Sequence, residues 1–302
     1  MSSLNHAVRF AKYHGTGNDF IIVDATDPIA DRGRFATTYC DRTGGVGPSK
    51  NASTETLLRT GADGVLFLAL EDRFSPPRVV MTLVQPDGSV APTCGNGTRC
   101  AAVWAMDRTG TDAVMIDTQA GTRCAVRESA GIAVEMGTPM FEPERVPLSA
   151  DQSEPLIETT VSGLPVTAVN TGVPHAVTFV EDVSAVDVDD VAPAVRHADV
   201  FPDGVNVTFA ERIDSDGDVP RFRQRTYERG IEGETDACGT GSVAIAVVAR
   251  RLGLIAADQL TVDISLRGGD LRVTAGDRGE TLLIGPVAFE FDGELSAVVD
   301  PK

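Results

Sequence analysis

Apolar positions along this chain recur mostly at a spacing of two, in short runs closed by glycine, proline or aspartate, the pattern of strands. In the first half such runs fall at 20–24, 64–70, 79–84, 113–117, 122–128 and 131–136. In the second half they fall within 156–169 and at 176–180, 205–209, 221–228, 260–266, 270–274, 281–284 and 287–291. Short helices are predicted at 33–40 and 188–197. Two further runs are apolar on every side, Val243-Ala-Ile-Ala-Val-Val-Ala249 and, less fully, 100–106. A helix without a polar face must be buried. The expected fold class is therefore α+β: two halves, each a mostly antiparallel sheet wrapped round one central helix. Between 41 and 61 the composition shifts to Thr, Gly, Ser and Asn, which predicts a surface loop with one helical turn at 54–58.

Both buried helices begin on the same motif. Cys94-Gly-Asn-Gly97 opens the first and Cys238-Gly-Thr-Gly241 the second. Laid over each other, CGNGTRCAAVWA and CGTGSVAIAVVA agree at the cysteine, both glycines, and Ala, Val and Ala beyond. The first four N–H groups of a helix lack partners, and its dipole places partial positive charge there. Glycine lets the backbone approach a ligand closely. Each copy is thus suited to hold a carboxylate, and the same field favours a thiolate. Two thiols serving one pocket would supply what stereo-inversion at carbon requires: one base on one face and one acid on the other.

At 302 residues the chain suits two domains. Aromatics are only 5%, so aliphatic packing must fill the cores. The net charge is −18, and lysine occurs only at positions 12, 50 and 302. Abundant acid with scarce lysine predicts adaptation to very high salt, where screening makes the self-repulsion tolerable. No basic patch points to a nucleic-acid partner. Five irregularly spaced cysteines are not a disulfide framework, and with four histidines in all a zinc site is not expected. No stretch reaches membrane-spanning length, and the first residues lack the features of a signal peptide. The expected setting is cytoplasmic.

Other candidate residues lie near the two motifs. Glu228-Arg229-Gly230 closes a strand before the second one. Arg229 carries the planar fork of donors that suits a substrate carboxylate, and Glu228 suits an ammonium group or the tuning of a thiol. His175 follows Pro174 in the turn 170–175, which occupies the same relative place as the turn 15–18 in the first half. A histidine near a thiol can share its proton.

HGTGNDF, CGNGTRC, TGVPH, GVNVTF and YERGIEGETDACGTG together resemble the diaminopimelate epimerase family, in order and over nearly the whole chain. The CGxG pair is shared with the wider group that includes proline racemase. The resemblance implies two pseudo-symmetric domains, 1–136 joined by 287–302, and 137–286, with the substrate closed between them. It implies that Cys94 and Cys238 are the catalytic acid/base thiols. Substrate contacts carry over to Asn18, Gly95, Asn96, Asn206, Glu228, Arg229, Gly239 and Thr240, while His175 and Glu228 modulate the thiols. Three positions depart from the family pattern: Val173 stands where the family has Asn, Gln85 replaces Asn as a substrate-binding amide on a longer arm, and 48–60 splits a glycine-rich stretch. The implied reaction converts LL-2,6-diaminopimelate to the meso form, for lysine synthesis, with no cofactor and no metal. A pyridoxal Schiff base would leave only Lys12 as its lysine. The expected partner is an amino-acid substrate, and a homodimer is compatible with the family. The alternatives are a racemase of another amino acid, such as proline or hydroxyproline, and a thiol redox protein using Cys94 and Cys238.

Overall fold

The computed structural model describes residues 7–47, 59–92, 94–215, 217–276 and 279–299. The turn expected at 54–58 lies outside them. The described chain forms two compact units, one up to Val134 and again from Gly285 onward, the other Glu135–Ile284.

In the first unit the strands are β1 (Ala7–Gly15), β2 (Asn18–Asp24), β3 (Gly64–Glu71), β4 (Arg78–Val84), β5 (Val90–Ala91), β6 (Ala113–Thr118), β7 (Gly121–Glu128) and the start of β8 (Gly131–Gly137), whose last residues belong to the second. Helix α1 (Arg32–Tyr39) precedes β3, and α2 (Gly95–Thr109) precedes β6. Pairing is antiparallel for β1–β2, β3–β4, β6–β7 and β7–β8, and parallel for β2–β3 and β4–β6. The β1–β2 hairpin turns on Thr16 and Gly17, at φ of 50° and 86°. Two positive φ values match the twist of the flanking strands, and glycine meets that demand more cheaply than threonine.

The second unit repeats this plan with β9 (Thr159–Val161) added ahead of it. The repeat comprises β10 (Leu164–Asn170), β11 (Pro174–Phe179), β12 (Asn206–Ile213), β13 (Arg221–Glu228), β14 (Gly233–Thr235), β15 (Thr261–Leu266), β16 (Gly269–Ala275) and β17 (Thr281–Gly285). Helix α3 (Val188–Arg196) precedes β12, and α4 (Gly239–Arg251) precedes β15. Pairing is antiparallel for β10–β11, β12–β13, β15–β16 and β16–β17, and parallel for β11–β12 and β13–β15. Element by element, β10 to β17 match β1 to β8. The last strand, β18 (Ala288–Ser296), returns to the first unit and pairs antiparallel with β1.

The sheets wrap the helices as their all-round apolar character requires. Helix α2 packs against β1, β2, β3, β4, β6 and β7, and α4 against β10, β11, β12, β13 and β16. Val243, Ala244, Ile245, Val248 and Ala249 are fully buried in the core round α4. A second core in that unit lies between α3 and the same sheet, on Val188, Ala192, Val195 and Phe209. Strand β1 is absent from the sequence expectation, which saw only a glycine turn from Lys12 on. Lys12 breaks the apolar pattern, yet it is 0% exposed and paired with Asp19 at 2.9 Å. An ion pair has made a buried position from a residue that reads as exposed. Strand β18 runs further than the predicted 287–291 because its pairing with β1 continues to Ala7↔Ser296.

Candidate active site

Cys94 is the N-cap of α2, in extended backbone at φ −153° and ψ 118°. Gly95, Asn96 and Gly97 form the first helical positions, where N–H groups lack intrahelical acceptors. Asn96 is 3% exposed, and its side chain turns into the unit: Nδ2 donates to Asn18 Oδ1 at 2.7 Å and to the Thr16 carbonyl at 3.3 Å. Its Oδ1 accepts from Arg99 Nη2 at 2.7 Å, and Arg99 also donates to Thr16 Oγ1 at 2.8 Å. Asn18 Nδ2 donates to Asp63 Oδ2 at 3.1 Å. Two of the sequence-predicted residues, Asn18 and Asn96, are therefore bonded to each other at the opening of α2. Gln85 sits in the turn between β4 and β5, where Ser89 Oγ donates to its Oε1 at 3.0 Å.

Charged groups hold this arrangement from behind. Arg42 bridges Asp19, at 2.7 Å, and Asp63. Burial works against the charge on Asp19, but hydrogen bonds from Arg42 and Lys12 outweigh it and hold its carboxyl below the ordinary value. Asp63 is pushed up, by burial first and then by the charge of Asp19. Arg99 is wholly buried, its Nε and Nη1 meet no partner among the described residues, and burial lowers it to about 10.

The second unit gathers more of the predicted residues. Cys238 is the N-cap of α4, with φ −131° and ψ 101°, and is buried. Thr240 Oγ1 lies 3.4 Å from its sulfur and 2.9 Å from His175 Nε2. His175 Nδ1 meets Thr208 Oγ1 at 3.0 Å. Glu228, at the end of β13, accepts from Thr235 Oγ1 at 2.5 Å, and its charge acts on the Cys238 thiol. Asn206, at the start of β12, accepts from the Arg229 backbone N–H at 2.7 Å. The Arg229 guanidinium reaches the Asp203 and Gly204 carbonyls at 3.3 and 3.4 Å. Val173, where the family pattern has Asn, lies in the β10–β11 turn.

Electrostatics here follow burial. The Cys238 thiol is driven well above its ordinary range, by burial first and by the charge of Glu228 next; the Thr240 hydroxyl and Gly241 amide oppose this. Burial raises Glu228, while Thr235 and Cys238 hold it down. His175 falls from 6.5 to about 3 through burial and then the charge of Arg229, so the ring is neutral at ordinary pH. A neutral imidazole carries one donor and one acceptor, and both point into hydroxyl groups.

Sequence reasoning missed several polar residues of these networks: Asp63 and Arg99 in one unit, Thr208, Gln224, Thr226 and Thr235 in the other. For Gln224 and Thr226 a signal existed. Both fall on the inward face of an alternating strand, where a polar residue needs a reason.

The sequence model of the diaminopimelate epimerase family matches residues 10–142 and 167–290. A diaminopimelate epimerase of Methanocella arvoryzae is 40% identical over 300 residues, covering 95% of this chain and 96% of that protein. One from Methanothrix thermoacetophila is also 40% identical over 300 residues, covering 96% of each. Among solved structures, a phenazine biosynthesis protein of the PhzF family from Bacillus anthracis matches with a TM-score of 0.62 at 14% identity, covering 96% of this chain and 99% of that one. A hydroxyproline epimerase from Agrobacterium vitis matches with a TM-score of 0.61 at 16% identity, covering 98% and 93%. These structures share the fold; the sequence matches carry the family, and the chain belongs to the diaminopimelate epimerases.

Proposed function

We propose that this protein converts LL-2,6-diaminopimelate to the meso form with Cys94 and Cys238 as its two acid/base thiols. One sulfur removes the α-proton as a thiolate, and the other delivers a proton to the opposite face of the planar carbanion. The observation that carries the reading is the surroundings of Cys238. A half-buried carboxylate, Glu228, acts on one sulfur at a helix start, and a hydroxyl backed by a neutral imidazole, Thr240 with His175, reaches it. A structural cysteine needs neither.

In this reading the backbone N–H groups of Gly95, Asn96, Gly239 and Thr240 receive the carboxylate that is activated for proton loss. Asn96 acts through its backbone, since its side chain is bonded to Asn18 and Arg99. Arg229 and Asn206 serve the distal carboxylate and ammonium, with Asn18 and Gln85. A second carboxylate favours diaminopimelate over proline, which has only one. The chemistry asks for no cofactor, and Lys12 is engaged by Asp19 and Glu290. A thiol that must stay reduced suits the cytoplasm, and the acidic composition suits one rich in salt. Among the described residues no helix is long and apolar enough to cross a membrane.

The test is incubation in D2O with LL-diaminopimelate, proline and hydroxyproline, read by proton NMR. Loss of the α-proton signal from diaminopimelate alone is the expected result. Cys94→Ser and Cys238→Ser should each cut turnover by about 10²-fold or more while circular dichroism stays unchanged. Exchange confined to proline would shift the substrate; none with any amino acid would return the thiols to a redox role.

A further inference from the structure

A chain of polar groups, buried from Ser242 to His175 and half-buried at Thr240, runs behind Cys238 and ends on its sulfur. It begins at Ser242, whose Oγ donates to Gln224 Oε1 at 2.7 Å. The other end of that amide faces the Cys238 carbonyl at 2.9 Å. A carbonyl can only accept, so this end is the NH₂. Its second hydrogen goes to Thr226 Oγ1 at 3.0 Å. Thr226 Oγ1 in turn lies 3.3 Å from Thr208 Oγ1. Thr208 Oγ1 lies 3.0 Å from His175 Nδ1. On the far side of the ring Nε2 lies 2.9 Å from Thr240 Oγ1, which lies 3.4 Å from the Cys238 sulfur.

We propose that Gln224, Thr226 and Thr208 are positioning residues that polarise this ladder in one direction, fix His175 as its Nε2–H tautomer and aim the Thr240 hydroxyl at the Cys238 sulfur. The ladder supports the thiolate without touching substrate. When the sulfur is protonated, the Glu228 carboxylate that acts on it can accept its hydrogen, and the ladder need not reverse. Among the described residues Asn206 Nδ2 is the competing donor at the ring, 3.4 Å from Nε2 against 2.9 Å for Thr240.

The repeat supplies an internal control. The register β2–β3 pairs Phe20 with Gly64 where β11–β12 pairs His175 with Asn206. Carried across the next strand, Thr208, Thr226 and Gln224 correspond to Leu66, Leu83 and Met81. Four of the six ladder positions, those of His175, Thr208, Thr226 and Gln224, are thus apolar in the first unit, and the same fold forms there without them. A Cβ on Gly97 would meet Leu66 and Phe20, while one on Gly241 would meet Gln224, Thr226 and Thr208. Four polar side chains are buried in one unit where the other uses hydrocarbon. Burial of that kind costs stability unless every group is bonded, so packing alone does not account for it.

The proposal rests on the epimerase reading for its purpose but is measured on the resting protein. In the 15N-labelled protein, long-range 1H–15N spectra report the His175 tautomer, with the signals assigned by their loss in His175→Gln. The expected result is protonation at Nε2. Protonation at Nδ1 overturns the proposal. Thr226→Val keeps the side-chain shape and cuts the ladder, so the ring should become a tautomer mixture. Turnover should fall roughly 10-fold with KM unchanged, the scale of a lost hydrogen bond to a charged group. An unchanged tautomer with unchanged kcat also overturns it. Should that variant fail to fold, the wild-type tautomer alone decides. Failure of deuterium exchange with diaminopimelate would sink the epimerase reading and leave the tautomer result standing.

Discussion

Burial makes His175 a group whose protonation separates the folded chain from the unfolded one. In the unfolded chain its imidazole takes up a proton as pH falls below 6.5; in the fold it resists until about 3. The unfolded state therefore binds the extra proton across that window, and stability drops as pH falls from 6.5 toward 3. Burial gives Asp63 and Glu228 the opposite sign, since their folded carboxyls are raised and hold protons more readily. His175→Gln should remove the histidine contribution and keep theirs. Urea unfolding of both proteins from pH 7 down to 4 should give a shallower loss of stability for the variant; equal slopes would mean the ring is not neutral in the fold. The cysteines, Glu228 and His175 were legible in the sequence because a repeat and a family pattern point to them. Thr208 was not: it is an ordinary polar residue in a strand, and only the register shows that it lines up with Gln224 and Thr226, whose inward-facing places in β13 were the one hint.

At the scale of elements, the two buried helices were legible because they lack a polar face, and most strands because they alternate. What escaped was short or disguised. Strands β5 and β14 have two and three residues, too few for a period. Strand β1 was hidden by a buried lysine. The helices look interchangeable in sequence, yet their first turns pack on different chemistry. A Cβ at Gly241 would stand 2.6 Å from Gln224 Nε2, while one at Gly97 finds Leu66 Cδ2 at 3.4 Å. Alanine gains up to about 1 kcal/mol over glycine inside a helix. At Gly97 that gain and the tight contact nearly cancel. At Gly241 overpacking should win, at a cost of roughly 1–3 kcal/mol. Gly241→Ala should lower the urea midpoint where Gly97→Ala leaves it nearly unchanged; equal effects would mean that the Gln224 side chain yields freely.

For the whole molecule the governing quantity is charge: 44 acidic residues against 26 Lys and Arg. Like charges on one folded chain repel, and folding brings them closer together, so the excess weakens the fold in dilute buffer. Salt acts unequally on the two signs of interaction. At about 1 M the Debye length is roughly 3 Å, so repulsion between exposed carboxylates is erased. Pairs in contact and partly sheltered survive, such as the two-pronged Arg225–Glu234 bridge at 2.7 Å, whose side chains are 21% and 9% exposed. The buried Lys12–Asp19 pair is sheltered further. Repulsion lost and attraction kept means that stability should climb with salt. For a chain of this length one kcal/mol moves Tm by about 2–4 °C, and relief of several kcal/mol should raise it on the order of 10 °C between dilute buffer and molar KCl. Differential scanning fluorimetry across a KCl series measures this directly. A flat Tm would mean that the acidic surface is solvated well enough at low salt, and that scarce lysine reflects something other than the ionic setting.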